Sequence, residues 1–146
     1  MNYVLMDATH VDAIAELEKI CFHDPWSVSS IASELSNPLS CWIVAMDDDR
    51  LAGYVGSQSV LGWADMMNIA VHPDYRGQGV ATKLINSLID HLKQAQVTCL
   101  TLEVRVSNLP AIILYEKLGF IQVGRRPGYY RNPREDALIL RKEWNI

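Results

Sequence analysis

Three groups of residues have types and spacing that suit chemistry. The first is Arg76-Gly77-Gln78-Gly79, between an apolar stretch ending at Val71 and a stripe of Ala81, Leu84, Ile85, Leu88, Ile89 and Leu92. Spacings of 3, 4, 7, 8 and 11 belong to a helix, so the order is strand, glycine-bearing loop, helix. Glycine admits positive φ and close approach to a ligand. The first helical turn has N–H groups with no intrahelical partner, and the helix dipole favours an anion there. Arg76 adds a charge-assisted contact, so a phosphate or pyrophosphate is the expected guest. A dinucleotide fingerprint would need a third glycine, and an NTPase phosphate loop would need Lys-Ser/Thr after the glycine. On the glycines alone, a plain surface loop stays open as the alternative.

The second group is Glu103. It falls mid-strand in Thr98 to Val106, where Leu100, Leu102, Val104 and Val106 face one way and Thr101, Glu103 and Arg105 the other. A carboxylate there can take a proton from a nucleophile. The bland reading is a surface glutamate paired with Arg105 or a lysine. The third group is Asn108 and Tyr115, seven residues apart on one side of a helix, with the small Ala111 between them. A tyrosine hydroxyl can protonate a leaving group, though a tyrosine on an amphipathic helix is also ordinary core.

The elements that must hold these groups follow in order. Tyr3 to Met6 reads as a strand, and Asp7 or Thr9 can cap a helix through Ile14, Leu17, Glu18 and Cys21. Pro25 interrupts, and Ser27 caps a second helix through Ile31 and Leu35. Cys41 to Met46 and Leu51 to Val60 form a hairpin, with Gly53 and Gly56 as weak points or bulges. Ala64 to Val71 is the strand before the glycine loop. Ala111 to Leu118 is a short helix that stops at Gly119. Phe120 to Val123 and Asp136 to Arg141 read as two last strands, with an arginine-rich solvated loop, Arg125 to Arg134, between them. The order predicts an α+β fold around a mixed sheet.

The 146 residues suit one domain, 1–146, with a sizeable core. Apolar residues are 49% and charged ones 21%, as in ordinary globular proteins. A net charge of -4 speaks against a nucleic-acid partner. No apolar run is long enough for a membrane span, and no signal peptide is read at the start. Cys21, Cys41 and Cys99 predict reduced thiols in a cytoplasmic setting. With the four histidines they show no metal-ligand spacing, so no metal is expected.

Arg76-x-x-Gly79-x-Ala81 after Val71-x-Pro73 resembles the first motif of the GCN5-related N-acetyltransferases, and Asn108-x-x-Ala111-x-x-x-Tyr115-x-x-x-Gly119-Phe120 resembles the second. The resemblance implies a three-layer fold with a mostly antiparallel sheet, and acetyl-CoA as co-substrate. It implies that Arg76, Gly77, Gln78, Gly79, Val80, Ala81 and Thr82 cradle the pyrophosphate. Ile69, Ala70 and Val71 would pair with the pantetheine arm, and an N–H there would polarise the thioester carbonyl. Asn108 would contact the cofactor, Glu103 would accept the proton of the attacking amine, and Tyr115 would donate to the leaving thiolate. Pro25-Trp26-Ser27, Leu102-Glu103-Val104-Arg105 and Tyr129-Tyr130 followed by Arg134-Glu135-Asp136-Ala137 further resemble the family's ribosomal-protein-alanine group. That group acts on the N-terminal alanine of the eighteenth small-subunit ribosomal protein, so the expected partner is a protein N-terminal peptide, and the expected state a monomer or weak dimer. Trp26, Tyr129 and Tyr130 become candidate walls of a peptide channel, with simple packing as the alternative. The first forty residues match that group in few places. Acetylation of a lysine, a polyamine or another small amine, or acyl-CoA binding without catalysis, stays open at this point.

Overall fold

The computed structural model describes residues 1–145. The chain runs through β1 (Asn2–Leu5), a one-turn helix at Ala8–His10, α1 (Val11–Cys21), α2 (Val28–Glu34), β2 (Ser40–Asp47), β3 (Arg50–Val60) and β4 (Trp63–Val71). After the turn Pro73–Tyr75 come α3 (Val80–Gln94), β5 (Cys99–Arg105), α4 (Leu109–Lys117), β6 (Ile121–Tyr130) and β7 (Glu135–Glu143). The expected cap of α2 is present, with Ser27 Oγ accepting from the Ser30 N–H, and Asn108 caps α4, its Oδ1 accepting from the Ala111 N–H.

Seven strands form one sheet in the order β1-β2-β3-β4-β5-β7-β6. Every neighbouring pair is antiparallel except β4–β5. Strand β2 is buried on both faces. Ile43 and Ala45 enter the core built on α3; Trp42 and Val44 enter the core under α1 and α2. Helices on both faces of a mixed sheet give the α+β, three-layer architecture. The whole apolar stripe of α3 from Leu84 to Leu92 is buried as its spacing predicts.

The parallel pair β4–β5 governs the site. It holds only at Trp63–Cys99, Ala64–Leu100 and Asp65–Thr101. Beyond Asp65 the strands part. At the same place the register of β4 against β3 slips from Ser57–Met66 to Gly56–Asn68, so Met67 has no partner in that ladder. A bulge kinks its strand and strengthens the local twist. Gly56, beside this slip, is required by packing, since a Cβ there would come within 2.4 Å of the Trp42 ring.

The C-terminal hairpin differs from expectation. Strand β6 continues through Tyr130, and only residues 131–134 turn. Arg125 and Arg126 are held within the strand, and Arg131 and Arg134 stay in the exposed turn. Arg125 pairs with Asp136 at 2.7 Å, and Arg126 faces Glu103 at 3.5 Å. The breakers Gly124 and Pro127 fall at register shifts of β6 against β7, on the outermost strand of the sheet, where bulges and a missing N–H are tolerated.

Candidate active site

Two clefts open where β4 and β5 part, and they share Ile69, Asn108 and Tyr115. The first, about 740 Å³, is bounded by Ile69 to Val71, the loop from Tyr75 to Thr82, and α4 from Pro110 to Tyr115. The second, about 500 Å³, lies between the α1–α2 connection (Phe22 to Trp26), the bulge of β4, β5 from Leu102 to Arg105, and the end of the β6–β7 hairpin.

In the first cleft, Gly77 and Gly79 have φ of +76° and +77°. This left-handed conformation favours glycine at the N-cap of α3. Arg76, Val80, Ala81 and Thr82 line the cleft with them. Gln78 does not; its amide turns back to the Asp74 carbonyl at 3.4 Å. Arg76 Nε donates to the Val71 carbonyl at 3.3 Å. The His72 N–H donates to the Ala52 carbonyl of β3 at 2.8 Å. Strand alternation therefore points the polar backbone groups of Ile69 and Val71 away from β3, toward the gap left by β5. His72 itself is structural: its Nδ1 accepts from the Asp74 N–H.

Tyr115 stands where the clefts join. It is 6% exposed and packs edge-on against Phe120 at 5.7 Å. Burial pushes its phenol up to about 12, so it stays protonated and can donate. Asn108 begins the same helix and lines both clefts.

Glu103 lines the second cleft on the polar face of β5. Its partner is Arg126, neither the Arg105 nor a lysine of the alternative reading. Arg105 instead clamps the hairpin turn. It donates to the carbonyls of Pro133 and Arg131 at 3.0 and 3.1 Å, pairs with Glu135 at 3.2 Å, and lies 4.4 Å over the Tyr130 ring. That clamp fixes Tyr129 and Tyr130 on the far wall of the second cleft, facing Trp26 on the near wall.

Sequence reasoning missed two members of this region. Glu18, on α1, is 1% exposed and accepts hydrogen bonds from the Trp26 N–H, the Asn68 amide and the Tyr54 hydroxyl. The usable signal was a carboxylate inside the apolar stripe Ile14, Leu17, Cys21. The second, Arg126, gave no such signal.

A glycine loop with left-handed backbone at the head of α3, a strand whose backbone faces a gap in the sheet, and a tyrosine between two clefts suit a group transferase that takes a long donor. The chain belongs to the acetyltransferase (GNAT) family, which matches residues 11–120. An Escherichia coli (strain K12) relative, ribosomal protein bS18-alanine N-acetyltransferase, is 37% identical over 92% of both chains. A Bacillus subtilis (strain 168) relative, provisionally given the same name, is 41% identical over 89% of this chain and 87% of its own. The crystal structure of the ribosomal-protein-S18-alanine N-acetyltransferase from Escherichia coli superposes with a TM-score of 0.91 at 35% identity, covering 99% of this chain and 94% of that one. The protein is an N-acetyltransferase of the acetyl-CoA-using kind. No helix among the described residues is long and apolar enough to cross a membrane.

Proposed function

We propose that the protein acetylates the α-amine of a protein N-terminus, the N-terminal alanine of the eighteenth small-subunit ribosomal protein first among them. One observation carries this reading: a cofactor-sized cleft and a separate open cleft meet at Tyr115, with Glu103 on the wall of the second. The names of the relatives support the choice of substrate.

The residues present fit acetyl-CoA, which supplies the activated acetyl group when bound. The loop from Arg76 to Thr82 would hold its pyrophosphate on backbone N–H groups, with the arginine as a further contact. The gap-facing backbone of Ile69 and Val71 would pair with the pantetheine arm as an added strand would. A peptide amine enters between Trp26 and the Tyr129-Tyr130 wall. An α-amine has a pKa near about 7.7–8.0, so a carboxylate or a water relay suffices to take its proton. Glu103 takes that role, exchanging its 3.5 Å contact with Arg126 for the amine or its water. The Val71 N–H, also aimed at the gap, would polarise the acyl oxygen, since the Ile69 N–H is already taken by Asn68 Oδ1. Tyr115 donates its phenolic proton to the departing sulfur.

No cysteine fits a covalent route. Neither cleft is lined by Cys21, Cys41 or Cys99, and burial pushes the Cys41 thiol up to about 11.

The deciding experiment is mass spectrometry of a peptide copying the ribosomal protein's N-terminus, incubated with the protein and acetyl-CoA. One acetyl group on the α-amine, absent when that amine is blocked, is the expected result. Acetyl-CoA hydrolysis or transfer to other amines, with that peptide untouched, would remove the substrate assignment.

A further inference from the structure

Glu18 is a buried carboxylate that the acetyl-transfer scheme does not use. Its Oε1 accepts from the Trp26 backbone N–H at 2.9 Å. Its Oε2 accepts from Asn68 Nδ2 at 2.9 Å and from the Tyr54 hydroxyl. None of these three donors is charged. A buried carboxylate without a cation is expensive to keep, and an apolar side chain would fill this stripe of α1 more cheaply.

The identity of the donors shows what the carboxylate does. Trp26 belongs to the near wall of the open cleft, and Asn68 to the bulged strand on its floor. Asn68 Oδ1 in turn accepts from the Ile69 N–H at 3.1 Å. A carboxylate only accepts, so it forces the amide of Asn68 to present Nδ2 to it and Oδ1 to Ile69. One side chain on a helix therefore fixes both the entry loop and the strand segment at the junction of the clefts.

A second buried carboxylate provides the contrast. Glu34, 6% exposed, accepts from Asn37, Ser40 and Gln58. None of those partners lines either cleft. Glu34 ties α2 to the sheet and touches nothing in the site.

We infer that Glu18 is a positioning residue for the acceptor: by holding the Trp26 backbone and the Asn68 amide together, it sets the shape of the cleft that receives the amine. This rests on reading that cleft as the acceptor site. Glutamine cannot replace it. An amide oxygen can serve Trp26 or Asn68, and its NH2 then meets a donor on the other side.

The test compares Glu18→Gln with Glu34→Gln, using the N-terminal peptide and acetyl-CoA. For Glu18→Gln, KM for the peptide should rise about tenfold or more, with acetyl-CoA affinity held within about threefold. Glu34→Gln should lose thermal stability and leave both constants near wild type. Equal peptide KM values in the two variants would overturn the inference, because Glu18 would then be ordinary core. A readout without variants covers the case in which Glu18→Gln does not fold. In the wild type the Trp26 amide should exchange with solvent at least about tenfold more slowly than an unstructured amide. Exchange at the unstructured rate would overturn the anchoring. That readout needs no substrate, so it stands even if wild type fails to acetylate the peptide, an outcome that sinks the substrate reading alone.

Discussion

At the scale of single residues, the roles proposed for Glu103 and Tyr115 can be tested separately. If Glu103 relays the proton of the amine, Glu103→Gln should slow the reaction most at low pH, where nearly all of the amine carries its proton. The loss should shrink as pH rises past about 8 and the amine deprotonates unaided. The check is kcat/KM for the peptide from about pH 6 to 9; a uniform loss at every pH would exclude the base role. Tyr115→Phe should lower kcat by about 10²-fold and leave acetyl-CoA affinity unchanged. The ring keeps its packing on Phe120, and only the donor is lost. Wild-type turnover in that variant would hand the proton to water. Both residues were legible in the sequence because each follows a local period, two for a strand and 3.6 for a helix. Arg126 was not. It reaches Glu103 across β7, over the small, buried Ala137, which lies opposite both Arg105 and Arg126. That contact depends on the sheet order, which no local pattern records.

At the scale of elements, the site exists because β4 and β5 pair briefly and then part. The glycine loop at the head of α3 occupies one end of that opening, the end proposed for the cofactor. Gly79→Ala tests whether the loop acts through its backbone. A Cβ at Gly79 would meet no atom within 4 Å, but φ is +77°. The penalty is therefore conformational, about 1–2 kcal/mol if the loop keeps its shape. A loop that relaxes out of this conformation misdirects its N–H groups. The variant should raise the KM for acetyl-CoA about tenfold while the peptide KM stays put. A change confined to the peptide would place the cofactor elsewhere. The strand, loop and helix here were readable because loop and helix are contiguous in sequence. The length of β6 was not, since Gly124, Pro127 and Gly128 read as breakers. They persist inside a strand because β6 is the last strand of the sheet and shifts register at those points. The bulge at Met67 was equally hidden, since it shows only in the slip of β4 against β3.

At the scale of the whole molecule, the alkaline limit of stability follows from buried acids that must stay neutral. Tyr115 and Tyr130 are each pushed up to about 12, and Cys41 up to about 11, with burial the leading cause in all three. A group whose folded pKa lies above its unfolded value stabilises the fold fully below the unfolded value. That contribution is lost as pH rises through the folded value. For the phenols the window runs from 10.0 to about 12, and for Cys41 from 9.0 to about 11. The folded state holds more protons than the unfolded chain there, so stability falls with rising pH. A net charge of -4 adds self-repulsion in the same direction. For the deeply buried Tyr115 the displacement corresponds to about 3 kcal/mol. Tyr115→Phe removes this ionisation and leaves the rest. Urea unfolding of both proteins between about pH 8 and 12 should therefore give curves that converge, the wild type losing more stability than the variant above about pH 10. Parallel curves across that range would mean that Tyr115 ionises as easily in the folded protein as in the unfolded chain. A phenol that ionises so easily would not hold its proton through the alkaline range, and the acid role proposed for Tyr115 would lose its physical basis.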